Sequence, residues 1–276
     1  MKRVFRVLTL VLLLALLSSS AFAGGWEQFE QPADVGVRYA PYMKYWVYTP
    51  DEMKPGLPFV IYLHSSDGIS WSAMKDVLPE LITNGTIADP QAVILLPQLT
   101  RDHRLTWSDV IVSLNTIVET VMAEYEVDPS RVALTGFSLG GIGLWELASL
   151  APDRYVRLLC IGGKANAGID PAAFTVCEGI KVFSSTGDLK ANRVNSEQFV
   201  EALLDAGANA SFELLTLAHT EGPRLVYADK DIQKWLWLIP DDGTAEEPSA
   251  EEAGSSTEEP AAEEAAEEIS PAAETP

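Results

Sequence analysis

The chain has 276 residues, 47% of them apolar, and a formal net charge of −21 from 40 acidic and 19 basic residues. This acidic balance argues against a nucleic-acid partner, because phosphate backbones are bound by clustered lysine and arginine. The apolar content is sufficient for one substantial core, and no motif indicates a metal site or a cofactor.

Residues 1–23 have the three parts of a leader peptide for export. A basic start precedes an apolar run at 7–17, and Ala21 and Ala23 form a small-x-small cleavage site. The alternative is a retained membrane anchor, but the apolar run is shorter than the roughly 20 residues that a spanning helix needs. We therefore expect cleavage after residue 23, no membrane span afterwards, and a secreted or periplasmic protein.

Residues 241–276 contain 13 acidic residues and neither lysine nor arginine. Alanine, serine, threonine and proline supply most of the rest, which leaves too little apolar surface to offset the entropy of ordering the segment. The composition predicts a disordered acidic tail, either solvated without a partner or used as a tether or spacer. One folded domain is predicted over residues 24–240, where 16 basic and 27 acidic residues give a net charge of −11.

Seven apolar runs within this domain have the length and composition of β-strands. Most are continuous rather than alternating, which is typical of strands buried on both faces of a parallel sheet. An additional antiparallel edge strand is expected before residue 45. The seven predicted strands cover residues 45–48, 58–63, 92–96, 132–136, 156–161, 180–184 and 211–217.

Helical patterns separate these strands. The clearest covers residues 107–125, where apolar residues recur every three or four positions behind a capping box of Thr106 and Asp109. Strands that alternate with helices of this length form right-handed βαβ units. The predicted fold class is therefore α/β, with a mostly parallel central sheet and helices on both faces. The other predicted helices cover residues 142–150, 196–206 and 229–237.

The segment at 132–141, VALTGFSLGG, runs from an apolar strand through a GxSxGG motif into a helix. That order is typical of a nucleophile elbow, a strained turn between strand and helix that presents a serine. Gly136 and Gly140 supply the positions without side chains that such a turn needs on either side of Ser138. The Leu139 N–H, at the start of the helix, is then one donor of an oxyanion hole. The alternative is a tightly packed glycine-rich turn without chemistry.

A serine hydroxyl needs a base to take its proton and a carboxylate to orient that base. His219 is the only histidine that follows Ser138, and it comes just after the last predicted strand, although a surface-loop histidine is the alternative. Asp188 follows a strand end and is the predicted acid, against the alternative of an ordinary turn aspartate beside a glycine. Asp170 and Glu178 also lie between Ser138 and His219, but neither directly follows the end of a predicted strand.

The loop after the strand at 58–63 begins with His64 and is expected to donate the second N–H of the oxyanion hole, from Ser66. His64 precedes the serine in the chain, so a role in ordering this loop is favoured over a role as a second base. His103 is expected in a solvated loop, with lining of a substrate pocket as the alternative.

Two cysteines are present in the sequence, Cys160 and Cys177. After export they would meet an oxidising compartment, in which a disulfide between them is one outcome. Cys160 lies in an apolar run, so a buried free thiol is the other.

Together these stretches resemble the α/β-hydrolase superfamily, and more closely a bacterial group of secreted esterases and predicted peptidases related to polyhydroxybutyrate depolymerases and feruloyl esterases. The resemblance spans most of residues 43–238, and the nucleophile block is its most specific part. The chain has a serine after His64 where members usually have glycine. Members also tend to carry His-Gly before the acid and Val-Pro after it, and this chain has neither dipeptide around Asp188. The four matching stretches are YWVYTP with LPFVIYLH, VDPSRVALTGFSLGGIGLWELASLAPDRY with LLCIGG, KVFSSTGD with the following helix, and LAHTEG with DIQKWLW.

The resemblance implies a triad of Ser138, Asp188 and His219, in agreement with the order and spacing of these residues. It implies a secreted serine hydrolase that cleaves carboxylic esters, small or polymer-linked, through an acyl-enzyme intermediate. Two alternatives share the fold: a serine peptidase, and an exported binding protein that has lost its activity.

Overall fold

The computed structural model describes residues 24–32, 42–70, 72–99 and 106–239. The predicted leader peptide, His103 and the predicted acidic tail lie outside these ranges. Within them, eight strands form one sheet. The strands are β1 (Gly25–Pro32), β2 (Tyr42–Thr49), β3 (Phe59–Leu63), β4 (Val93–Pro97), β5 (Val132–Phe137), β6 (Arg157–Ile161), β7 (Gly179–Ser185) and β8 (Ala210–Leu215).

The strand order in the sheet is β1-β2-β4-β3-β5-β6-β7-β8. The first two pairings, β1 with β2 and β2 with β4, are antiparallel, whereas the other neighbouring strands of this sheet are parallel. The predicted α/β class and the mostly parallel sheet are thereby confirmed, and the edge strand expected before residue 45 is β1. The six parallel strands all end at one edge of the sheet, which we call the carboxyl edge.

Helices and short 3₁₀ turns connect the strands. The predicted helix over 107–125 begins as a 3₁₀ turn at Trp107–Val110, and the side chain of Asp109 accepts the Thr106 N–H at 2.7 Å, as the capping box requires. The α-helices in the described ranges are α1 (Ser66–Ser70), α2 (Val77–Thr83), α3 (Ile111–Glu124), α4 (Leu139–Leu150), α5 (Lys190–Asp205), α6 (Gly222–Ala228) and α7 (Lys230–Leu236).

The sheet separates two hydrophobic cores, because successive side chains of a strand point to opposite faces. Along β3, Phe59 and Ile61 pack into one core with helices α3, α4 and α5. Val60 and Tyr62 pack into the other with α2, α6 and α7. Helices therefore cover both faces, as predicted.

Cys160 and Cys177 are both free and both buried in the core on the α3, α4 and α5 side. Burial raises the pKa of Cys160 to about 12 and that of Cys177 to about 11. Of the two outcomes expected from sequence, the structure has the buried free thiol. No helix in the described ranges is long and apolar enough to cross a membrane.

Candidate active site

Ser138 occupies a strained turn between β5 and α4. Its backbone has φ 55° and ψ −112°, a conformation that residues with a Cβ atom rarely adopt. The Ser138 N–H donates to the carbonyl of Ile161 at 2.9 Å, and the Ser138 carbonyl accepts from the Ile142 N–H at 3.1 Å. Hydrogen bonds on both sides of the serine thus hold the turn against its strain.

Two glycines allow this turn to form. A Cβ atom at Gly136 would lie 2.4 Å from the carbonyl oxygen of Gly140, and one at Gly140 would lie 1.8 Å from the carbonyl oxygen of Leu63. Any larger residue would push the first turn of α4 away from β5 or from the end of β3. The GxSxG spacing is therefore a packing requirement at both glycines.

The structure brings the three residues of the predicted triad together at the carboxyl edge. Ser138 follows β5, Asp188 follows β7 and His219 follows β8. His219 Nε2 lies 3.0 Å from Ser138 Oγ, and His219 Nδ1 lies 2.5 Å from Asp188 Oδ1. With its proton on Nδ1, the imidazole leaves Nε2 as an acceptor for the serine hydroxyl proton.

The carboxylate of Asp188 is fixed by its own loop. Its Oδ2 accepts the Ser185 N–H at 2.8 Å, and the Asp188 N–H donates to the Ser185 carbonyl at 2.9 Å. The side chain is only 2% exposed, against 36% for His219. Because Oδ2 is occupied from within the loop, Oδ1 is left to orient the imidazole.

Close backbone contacts place His219 opposite the serine. A Cβ atom at Gly187 would lie 2.6 Å from the His219 backbone nitrogen, and one at Gly162 would lie 3.3 Å from His219 Cε1. The ring of Phe137 packs on the imidazole with a centroid distance of 4.8 Å. The loops after β6 and β7 and the end of β5 therefore form three sides of the histidine's environment.

The two other acidic residues considered from sequence are engaged elsewhere. Asp170 caps a 3₁₀ turn by accepting the Ala172 N–H at 3.0 Å. Glu178 is largely exposed and lies 3.9 Å from Arg157. The structure brings neither of them to Ser138.

The loop after β3 lies against the start of α4, since the carbonyls of Leu63 and His64 both approach Gly140. Of the four backbone N–H groups at residues 65–68, three have acceptors. They bind as follows: Ser65 to Asp76 Oδ2 at 2.6 Å, Asp67 to Ser65 Oγ at 3.2 Å and Gly68 to the Ser65 carbonyl at 3.2 Å.

The fourth N–H of this loop belongs to Ser66, the first residue of α1, and has no acceptor within the described ranges. The first N–H of α4, that of Leu139, likewise has none there. Both residues begin a helix, and the first N–H groups of a helix lack acceptors within it. These are the two donors named from sequence.

His64 is fully buried, and both of its ring nitrogens bind backbone groups. Its Nδ1 donates to the Ser65 carbonyl at 2.6 Å, and its Nε2 accepts the Leu99 N–H at 3.0 Å. Burial lowers the pKa of His64, against the opposing effects of the Ser65 carbonyl and the Asp76 charge. The contacts are those of a residue that orders the loop.

Asp76 was not identified by the sequence analysis. Its buried carboxylate accepts the Ser65 N–H at 2.6 Å, the Ser65 hydroxyl at 2.9 Å and the Tyr62 hydroxyl at 2.8 Å. The signal that points to such a partner is the serine that follows His64, because a buried hydroxyl requires a hydrogen-bond acceptor or donor.

The described residues contain no group of three or more histidine, cysteine, aspartate or glutamate side chains placed to hold a metal ion.

Neither a protein-family model nor a curated protein matches the sequence. Solved structures do match the fold. A thermostable esterase superposes with a TM-score of 0.63 at 17% identity, over 79% of this chain and 63% of that one. A feruloyl esterase module from Clostridium thermocellum in complex with sinapinate gives a TM-score of 0.58 at 13% identity, over 78% and 88% of the two chains.

An S-formylglutathione hydrolase from Staphylococcus aureus gives a TM-score of 0.59 at 11% identity, over 78% of this chain and 96% of that one. This chain therefore spans less than two thirds of the thermostable esterase but nearly the whole of the hydrolase. Together with the sheet order and the turn at Ser138, these similarities establish an α/β-hydrolase fold.

Proposed function

We propose that this protein is a serine hydrolase that cleaves carboxylic esters by way of an acyl-enzyme intermediate. The observation that carries the proposal is the hydrogen-bonded series Ser138 Oγ, His219 Nε2, His219 Nδ1 and Asp188 Oδ1, with distances of 3.0 and 2.5 Å. A serine paired with an imidazole and a carboxylate, together with the N–H groups of Leu139 and Ser66 that have no acceptor in the described ranges, supplies the components needed for acyl transfer to water.

In the first half-reaction Ser138 Oγ attacks the ester carbonyl carbon as His219 Nε2 takes the hydroxyl proton. The negative charge that develops on the carbonyl oxygen is stabilised by the N–H groups of Leu139 and Ser66. As the tetrahedral intermediate collapses, His219 returns the proton to the leaving alcohol. Asp188 stabilises the imidazolium throughout and keeps the ring in the required orientation.

In the second half-reaction a water molecule attacks the acyl-enzyme, and His219 again accepts a proton. Collapse of the second intermediate releases the carboxylic acid, and the proton returns to Ser138 Oγ. The thermostable esterase and the feruloyl esterase module, which share this fold, are esterases by name, and this supports esters over peptides as substrates. The substrate is a small-molecule or polymer-linked ester, and the leader peptide predicted from the sequence supports a secreted or periplasmic location.

The test is hydrolysis of p-nitrophenyl acetate by the Ser138→Ala variant. Loss of the nucleophile should reduce kcat by about 10⁶-fold, the size of effect seen when a catalytic serine is removed. Ser149→Ala is the matched control, since Ser149 lies on the same helix and its hydroxyl donates to the Trp145 carbonyl one turn earlier. Turnover by Ser138→Ala equal to that of the control variant would contradict the proposal.

Two further measurements separate the alternatives. Labelling of Ser138 by a fluorophosphonate probe is expected of an active hydrolase and not of a silent binding protein, because only an activated serine reacts. A panel of p-nitrophenyl esters and aminoacyl p-nitroanilides distinguishes an esterase from a peptidase. Faster cleavage of the anilides would favour the peptidase.

A further inference from the structure

Asp76 stands at the N-cap position of α2, yet its side chain makes no hydrogen bond to that helix. An N-cap aspartate usually accepts an N–H from the first turn of its own helix. Here the carboxylate instead reaches back to Ser65, 11 positions earlier in the chain, and to Tyr62 on β3. A buried carboxylate diverted from its own helix to a loop beside the nucleophile calls for a functional explanation.

Two hydrogen bonds hold the carbonyl oxygen of the peptide group between Ser65 and Ser66. This oxygen accepts from His64 Nδ1 at 2.6 Å and from the Gly68 N–H at 3.2 Å. Because a trans peptide is planar, its N–H points away from its carbonyl. Fixing the Ser65 carbonyl therefore also fixes the direction of the Ser66 N–H.

Asp76 fixes the backbone nitrogen and the side chain of Ser65. It binds both the N–H and the hydroxyl of Ser65, and the same hydroxyl accepts the Asp67 N–H at 3.2 Å. With Ser65 held at its nitrogen, its side chain and its carbonyl, the loop has little freedom to rotate the Ser66 N–H.

We propose that Asp76 is a positioning residue that holds the Ser66 N–H in place for the oxyanion, acting through Ser65. The inference rests on the proposed esterase function. It also assigns a role to the serine that stands where related esterases have glycine. The Ser65 hydroxyl links Asp76 to the start of α1 and so helps to hold the loop after β3 in place. A serine at this position is therefore compatible with activity.

Asp76→Asn is the direct test, because asparagine is nearly isosteric but has only one acceptor oxygen. It therefore cannot accept both the Ser65 N–H, now bound by Oδ2, and the Ser65 hydroxyl, now bound by Oδ1. With p-nitrophenyl acetate we expect kcat to fall about 30- to 100-fold, somewhat less than the loss of a whole oxyanion donor. The KM should change less than about threefold, because the donor acts mainly in the transition state.

Tyr62→Phe is the matched control. It removes a hydrogen bond to the same carboxylate from the β3 side and leaves both bonds to Ser65. Its kcat should stay within about threefold of the wild type even where its Tm falls as much as that of Asp76→Asn. A second readout is the affinity for a boronic acid that mimics the tetrahedral intermediate, which should fall in parallel with kcat/KM in Asp76→Asn and stay constant in Tyr62→Phe.

The outcomes separate this inference from the proposed function. If the wild type neither hydrolyses esters nor reacts with a fluorophosphonate, the proposed function fails. If the wild type is active, then full kcat in Asp76→Asn, or equal losses in both variants at equal Tm, overturns the inference alone. Should Asp76→Asn not fold, Ser65→Ala replaces it, with an expected loss in kcat of about 3- to 10-fold; unchanged kcat in that variant also overturns the inference.

Discussion

Gly187 lies one residue before the predicted catalytic acid and touches the backbone of the predicted base. A Cβ atom there would lie 2.6 Å from the His219 nitrogen and 2.8 Å from the Ala218 Cα. The position is exposed, so the two loops can separate without loss of the core. A small displacement of His219 from Asp188 and Ser138 is the consequence.

We therefore expect Gly187→Ala to lower kcat/KM by about 100-fold, the effect of misplacing catalytic groups by about 1 Å. Circular dichroism and thermal unfolding should show a folded protein. Thr186→Ala is the control, because that side chain is exposed and its hydroxyl donates to the Leu217 carbonyl at 3.2 Å rather than to His219. Activity within about twofold of wild type in both variants would show that the contact does not position His219.

His64 makes stability depend on pH. Its burial lowers its folded pKa below the ordinary value of 6.5, so the unfolded chain binds a proton at a pH where the folded chain does not. The free energy of unfolding is then highest above pH 6.5 and decreases as pH falls below it, by at most about 1.4 kcal/mol per pH unit, until the folded pKa is reached.

The measurement is Tm from pH 7.5 to pH 5.0 for the wild type and for His64→Gln. Glutamine retains an acceptor for the Leu99 N–H but does not titrate. The Tm of the variant should therefore fall less between pH 7.5 and about pH 5.0 than the Tm of the wild type does. The two other histidines are present in both proteins and cancel in the comparison. Parallel pH profiles would rule out His64 as the source of the acid sensitivity.

At the residue scale, the predicted site depends on information that is local in sequence. Ser138 stands out because glycines and a strand–helix change surround it, while His219 and Asp188 stand out because each follows a strand end. Asp76 has no such local signal. Its position before a helix is that of an ordinary cap, and its partners Ser65 and Tyr62 become neighbours only in the folded chain.

At the scale of elements, central strands were predictable because burial on both faces makes their sequences continuously apolar. The predicted strands 58–63 and 132–136 differ from β3 and β5 by one residue at one end. For the edge strand β1, the sequence predicted an antiparallel strand before residue 45 but not its bounds, since its glutamate and glutamine residues interrupt any apolar run.

Short or polar helices were less predictable. The helix predicted at 196–206 begins six residues earlier in the structure, at Lys190, because the first turns of α5 carry mostly polar residues and show little apolar periodicity. Helices α1, α2 and α6 have five to seven residues, too few to establish a helical period. These helices matter for the site, since α1 supplies the Ser66 N–H.

At the scale of the whole molecule, the described residues, which end at 239, already form both cores and bring the three predicted triad residues together. A chain ending at Pro240 lacks the 13 acidic residues of the predicted tail. Because such a segment buries little apolar surface, the shortened protein should retain kcat/KM within about twofold and Tm within about 2 °C. Side-by-side ester hydrolysis and thermal unfolding test this, and a large fall in Tm would mean that the segment packs on the domain.

The two buried thiols have a consequence for export. The thiolate is the form that is oxidised, and burial keeps the thiols of Cys160 and Cys177 protonated and out of reach of oxidants. If the predicted leader peptide directs export, the unfolded chain would have no such protection during translocation. Disulfide formation takes seconds to hours, so the sheet must close around β6 within that interval for both cysteines to remain reduced. If the proposed export takes place, the rate of folding as well as the redox compartment would decide the final state of the two cysteines.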